Sequence, residues 1–138
     1  MKRIKRFCIL LAIVLGLFVG SLIFWLGVRY ASRQRDISLA WPIIQEFGGD
    51  MGSIPCEPFG SEYRIEFCNR PFTREELERL KVIDPMTHRD WVGVMFKNCN
   101  LTTEDLDYVA QILPSARLIM LVDKDGQVIS KSRPDSRW

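Results

Sequence analysis

The sequence is poor in the residues that chemistry most often needs. Its 138 residues include one histidine, His88, and four cysteines with no C-x-x-C pair. Cys8 lies in an apolar run, and Cys56, Cys68 and Cys99 are separated by eleven and then thirty residues. With a single imidazole available, that spacing is not the spacing of a zinc site, and it is not that of a thiol-redox motif. No glycine-rich phosphate loop is present, and no Gly/Ser-rich linker or low-complexity tract interrupts the chain after its first thirty residues. Neither a metal nor any other cofactor is expected, and no small-molecule substrate is evident.

Charge is missing altogether from Phe7 to Val28, FCILLAIVLGLFVGSLIFWLGV, where Ser21 is the one conventional polar side chain. As a helix, such a run is about 33 Å long, enough to cross a hydrocarbon core of roughly 30 Å. Lys2, Arg3, Lys5 and Arg6 precede it and Arg29, Arg33 and Arg35 follow, with Trp25 and Tyr30 at interfacial depth. The expectation is an uncleaved single-pass signal-anchor in a lipid bilayer. A cleaved secretory signal is the rival reading, but its apolar region runs about 7–15 residues and ends in a small-x-small site, whereas Ala31 and Ser32 are preceded by Arg29 and Tyr30. The excess of cations before the run favours a cytoplasmic N-terminus and an exported C-terminal domain, periplasmic or extracellular.

With four of the 19 cations ahead of the run and none inside it, the following 110 residues carry 15 cations against all 17 carboxylates. That near-neutral remainder shows no clustered basic face, so a nucleic-acid partner is not expected. In an oxidising compartment Cys56 and Cys68 are the most local disulfide pair. Three reduced, partly buried thiols are the alternative.

Along the rest of the chain, DISLAWPIIQEF has the apolar spacing of a helix, capped by Asp36, ended by Gly48-Gly49 and kinked or restarted at Pro42. GGDMGSIPCEPFG reads as loop. SEYRIEFC alternates as a half-buried strand over 61–68, and Thr73 with Glu76 opens a short capped helix. The loop VIDPMTHRD leads to a second strand, Trp91–Lys97, and Thr102 opens a second capped helix that ends at Pro114. The run RLIMLV, the turn at Asp125-Gly126 and VIS suggest a terminal hairpin, followed by a polar, mobile tail.

The two strand–helix units repeat with a period of 29 residues: Ile65 falls on Val94, Phe67 on Phe96, Asn69 on Asn98, Phe72 on Leu101, Thr73 on Thr102, Leu77 on Leu106 and Leu80 on Val109. WVGVMFKNCNL places Trp91, Val94, Phe96, Cys99 and Leu101 on the pattern L-x-x-L-x-L-x-x-N/C-x-L. In this the chain resembles leucine-rich-repeat proteins, and specifically small bacterial membrane-anchored proteins with short, degenerate repeats. YRIEFCNRPF departs by having Arg70 where Asn or Cys belongs, and the third unit is truncated. The resemblance covers roughly residues 61–122 and implies an α/β fold, with an N-terminal transmembrane helix followed by a small leucine-rich-repeat-like strand–helix domain.

The expected organisation is a basic tail (1–6), the membrane helix (7–28), a linker helix with a Gly/Pro loop that can serve as a cap (29–60), the repeat domain (61–130) and the mobile tail (131–138). Ile65, Phe67, Phe72, Leu77, Val94, Phe96, Cys99, Leu101 and Leu106 take the structural repeat positions. The resemblance implies a protein partner of unknown identity met by the outward strand residues Arg64, Glu66, Trp91, Gly93, Met95 and Lys97. Strands covered on both faces would instead place Trp91 and Met95 in a core. An accessory subunit that associates through Gly16 and Gly20, spaced as G-x-x-x-G in the membrane run, is the second functional reading.

No catalytic site emerges at this level. His88 lies near Asp84, Arg89 and Asp90, but no nucleophile is tied to it by a motif. Glu75, Glu76, Glu104 and Asp105 fall in first helical turns, where the dipole accounts for them. Asp123 and Asp125 lack the other ligands of a calcium loop. An interaction or scaffolding module without catalytic activity is the expectation.

Overall fold

The computed structural model describes residues 2–55 and 60–132, with side chains from Ile9 onward. It divides into two compact units, 1–35 and 36–138. A single helix, α1 (Lys2–Glu46), belongs to both. Residues 29–35 are therefore helical, where a break before a separate helix at Asp36 was expected. The reason is local: RYASRQR contains no glycine or proline to stop propagation. Asp36 is accordingly not a cap; its Oδ2 accepts from Arg89 Nη1 at 3.1 Å. Pro42 sits inside α1 rather than at a restart.

In the first unit the described apolar side chains from Ile9 to Val28 are exposed. Leu17, Phe18 and Phe24 are among the most exposed large hydrophobic residues described, Phe24 at 74%. Exposed to water, apolar surface costs about 25 cal/mol per Å², so such a face favours apolar surroundings. By length and composition α1 fits a membrane-spanning or signal-anchor helix. The Arg29 guanidinium lies 5.2 Å from the centre of the Trp25 ring.

The second unit is built on a five-stranded mixed sheet in the order β1 (Gly49–Pro55), β2 (Ser61–Cys68), β3 (Trp91–Lys97), β4 (Leu118–Val122), β5 (Val128–Ser132). β2, β3 and β4 are parallel, and β1 and β5 close the two edges antiparallel. The α/β class is thus as expected. So is the hairpin, turned at Gly126 with φ +84. The segment 49–55, loop by its composition, is instead an edge strand, with Gly49 opposite Phe67 and Gly52 opposite Arg64. Its glycines masked the alternation that marks a strand. Gly49 has a packing reason, since a Cβ there would lie 2.5 Å from Phe67 Cε1. Residues 36–55, assigned above to a linker, belong to the compact domain: Ala40, Ile44 and Phe47 of α1 are buried in its core.

The 29-residue period is carried into space. Ile65 pairs with Val94 and Phe67 with Phe96 in the β2–β3 register. Each strand is followed by a left-handed asparagine, Asn69 (φ 55) or Asn98 (φ 53), and then by a threonine-capped helix. These helices are α2 (Arg74–Arg79) and α4 (Thr103–Ile112), each with a complete capping box, Thr73–Glu76 and Thr102–Asp105. Leu77 and Leu106 are buried at equivalent places, as are Leu80 and Val109. Between α2 and β3 the expected helix passes at Leu80 into a 3-10 turn (Leu80–Ile83), and one short helix, α3 (Asp84–Thr87), follows inside the segment 82–90 that reads as loop. Pro85 suits the first turn of that helix, which needs no N–H from it.

Alternate residues of β2, β3 and β4 (Tyr63, Ile65, Phe67, Val92, Val94, Phe96, Ile119, Leu121) join the helices in one core. Phe67 and Phe96 stack at 5.4 Å, and Phe72 meets both edge-on. Phe72 and Leu101, expected as inward repeat positions, are partly buried against this core rather than inside it.

Candidate functional site

The register sets the residues of the non-helical sheet face. Glu62, Arg64, Glu66 and Cys68 of β2 lie opposite Trp91, Gly93, Met95 and Lys97 of β3, and Gly93, Met95 and Lys97 lie opposite Leu118, Met120 and Val122 of β4. The face is not uniform. Trp91, Leu118, Met120 and Val122 form a second buried cluster against which Met95 packs. Trp91, expected to point outward towards a partner, is only 9% exposed, and Gly93 is buried too. The alternative of a strand covered on both faces therefore holds for β3 up to Val94, because β4 brings three apolar side chains to its side. Arg64 remains exposed, and Glu66, Met95 and Lys97 are half-buried.

What stays accessible is the part over β1 and β2. Asp50, Gly52, Arg64, Ile65, Glu66 and Met95 line a cleft of about 330 Å³. Arg64 Nη2 holds Glu62 Oε1 at 2.6 Å. Asp50 stands directly opposite Glu66 in the β1–β2 register, a like-charge pair that costs stability rather than adding to it.

The cysteines divide by setting. Cys99 is fully buried; its Sγ lies 3.2 Å from Phe67 O, the contact that ties the second unit to the first, and 3.3 Å from Lys97 O, two acceptors for one thiol proton. Burial raises its pKa. Cys68 carries a free, half-buried thiol that donates to Glu66 Oε1 at 3.1 Å. Its pKa is pushed up to about 11, by burial first and then by the Glu66 carboxylate. A low-pKa reactive thiol is therefore absent at either position. Cys56, the other half of the disulfide expectation, lies outside the described residues, as do residues 133–138 of the tail. Gly16 and Gly20 are on α1, with nothing within 4 Å of where a Cβ would stand.

A second constellation escaped sequence reading. His88 Nε2 lies 3.1 Å from Asp84 Oδ2, and His88 Nδ1 lies 3.0 Å from Ser115 Oγ. Thr87 Oγ1 donates to the Asp84 carbonyl at 2.7 Å and lies 3.3 Å from Asp84 Oδ1. His88 and Ser115 line a cleft of about 400 Å³ with Thr87, Pro114, Ala116 and Arg117. Asp84 and His88 are four residues apart at α3, so their meeting follows from a helical turn. Ser115 comes from the corner between α4 and β4, where Pro114 ends the helix, and nothing in the local sequence links it to His88. No group of three or more metal-ligating side chains occurs among the described residues.

The fold and these surfaces define a small α/β domain with its helices on one sheet face, on a chain that begins with a membrane-length apolar helix. No protein-family model, no curated protein and no solved structure matches this chain.

Proposed function

We propose that this chain is a membrane-anchored protein-interaction module of leucine-rich-repeat-like construction, whose binding surface is the accessible part of the non-helical sheet face. The N-terminus is cytoplasmic and the domain is exported. The observation that carries the reading is the paired unit itself: strand, left-handed asparagine, capped helix, repeated after 29 residues with Ile65 beside Val94 and Phe67 beside Phe96. Stacking such units places helices on one side and leaves the strands to present the other. The opposed carboxylates Asp50 and Glu66, with Arg64 and the half-exposed Met95, give that side a mixed polar and apolar cleft. A like-charge pair kept at a cost in stability is more readily explained by binding than by folding.

The test is site-specific photocrosslinking in native membranes. Probes at Arg64, Met95 and Lys97 should give one discrete adduct, and probes at Glu75, Glu104 and Gln111 on the helical side should not. Equal adducts from both sides, or none from the sheet face, would remove the reading. Replacing Gly16 and Gly20 with Ile distinguishes the accessory-subunit alternative: adducts that vanish only in that variant would assign association to the membrane helix.

A further inference from the structure

The geometry points to a nucleophilic serine: we propose that Ser115, with His88 as general base and Asp84 as the residue that positions it, hydrolyses small carboxylic esters in the cleft between α3 and the α4–β4 corner. This site is separate from the sheet face and does not depend on what binds there.

The argument starts from the hydrogen-bond chain. An ionised carboxylate only accepts, so Asp84 Oδ2 takes the Nε2–H of His88 at 3.1 Å and thereby selects the tautomer with its lone pair on Nδ1. That lone pair faces Ser115 Oγ at 3.0 Å, within reach of its hydroxyl proton. The backbone that carries the carboxylate is held, because Thr87 is buried and its hydroxyl donates to the Asp84 carbonyl. Here the serine meets Nδ1 and the carboxylate meets Nε2. A Ser–His–carboxylate relay is recognised by geometry and roles rather than by sequence position, and the roles are filled here with the two ring nitrogens exchanged.

The cleft supplies the remaining needs. Its volume of about 400 Å³ admits a small acyl group. Arg117 is among the residues that line it, which gives the cleft a cationic residue. His88 is 57% exposed, which lets water reach the base.

The reaction balances without any further reagent. Ser115 Oγ attacks the ester carbonyl carbon, and its proton passes to His88 Nδ1 while the carbonyl electron pair moves onto oxygen. The tetrahedral species collapses, and the alkoxide leaves with the proton from Nδ1, giving an acyl-Ser115. Water then gives a proton to Nδ1 and attacks the acyl carbon. Ser115 Oγ leaves and recovers that proton, so that ester and water become acid and alcohol.

The experiment uses the full-length chain in detergent micelles, with a fluorophosphonate probe and p-nitrophenyl acetate, and compares wild type with S115A, H88N and D84N. Saturable ester hydrolysis and one phosphonate on Ser115 are expected. S115A should lose both, and H88N should be slower by about a hundredfold or more. D84N should lower kcat at unchanged KM, a split that a merely structural role would not produce. Circular dichroism melting should match wild type in all three, since His88 and Ser115 line a surface cleft and Asn keeps the size and shape of Asp84. Hydrolysis and labelling no greater in wild type than in S115A would overturn the proposal, as would phosphonate found on another residue.

Discussion

Asn98 Nδ2 donates to Asn69 Oδ1 at 2.9 Å, and the two residues are 29 apart with left-handed φ values of 53 and 55. Each ends a strand at the same place in its unit, so the bond is a direct contact between repeat units. Asparagine tolerates this backbone region better than most residues, and its amide supplies the lateral partner.

N98A should therefore lose two things, the tolerance for φ > 0 and the bond to Asn69, and lower the unfolding free energy by about 1–2 kcal/mol. N98G should recover the backbone part only. Urea unfolding of the two variants beside wild type measures the difference.

Cys99 bridges the same units from inside. C99A removes the Sγ donor to Phe67 O and leaves a small void, at a cost of about 1–2 kcal/mol. In native protein the Cys99 thiol should resist alkylation and react only on unfolding, because it is buried and its pKa is raised. Peptide mass spectrometry after timed alkylation reads this directly. Cys99 labelled as fast as a free thiol would contradict it.

The capping boxes predict acid sensitivity. Backbone N–H donation from Thr73 is the first cause that lowers the pKa of Glu76, and donation from Thr102 is the first for Asp105. A carboxylate whose folded pKa lies below its unfolded value contributes stability at neutral pH and loses it as pH falls through the folded value. Domain stability should thus hold down to about pH 4.5 and decline below it, the unfolded values being 4.5 and 3.8. T73A and T102A should each cost about 1 kcal/mol at pH 7, measured by chemical denaturation.

Gly49 is the closely packed one of the two glycines in the edge strand. G49A brings a Cβ to 2.5 Å from Phe67 Cε1 and 3.0 Å from Ile44 Cγ2. The core must shift, and a loss of about 1–3 kcal/mol is expected by thermal melting. G52A, with open space around the new Cβ, should stay close to wild type.

The membrane-length helix, the two alternating strands, the threonine caps and the 29-residue period are local or periodic features, and each was legible because a single property repeats at a fixed spacing. The strand Gly49–Pro55 was not, because its three residue types without an apolar rhythm (Gly, Ser, Asp) hide a pairing that β2 imposes from outside. The continuity of α1 across residues 29–35 was also missed, since the composition change at Val28 reads as a boundary while the backbone has no reason to stop there.

Among the candidate sites, the inward position of Cys99 followed from the repeat, and the structure gives it Phe67 O as a partner. The burial of Trp91 could not be read off, because whether a strand face is covered depends on what β4 contributes beside it. Nor could the meeting of His88 with Ser115, 27 residues away, be anticipated. The sequence by itself determined where apolar surface must leave water, as a helix of membrane length and as two repeating strand–helix units, because burial and hydrogen bonding of the backbone act at short and regular spacing. Only the tertiary structure decided which side chains from different units share a face, a core or a cleft, because those distances are set by strand register and by the packing of helices on the sheet.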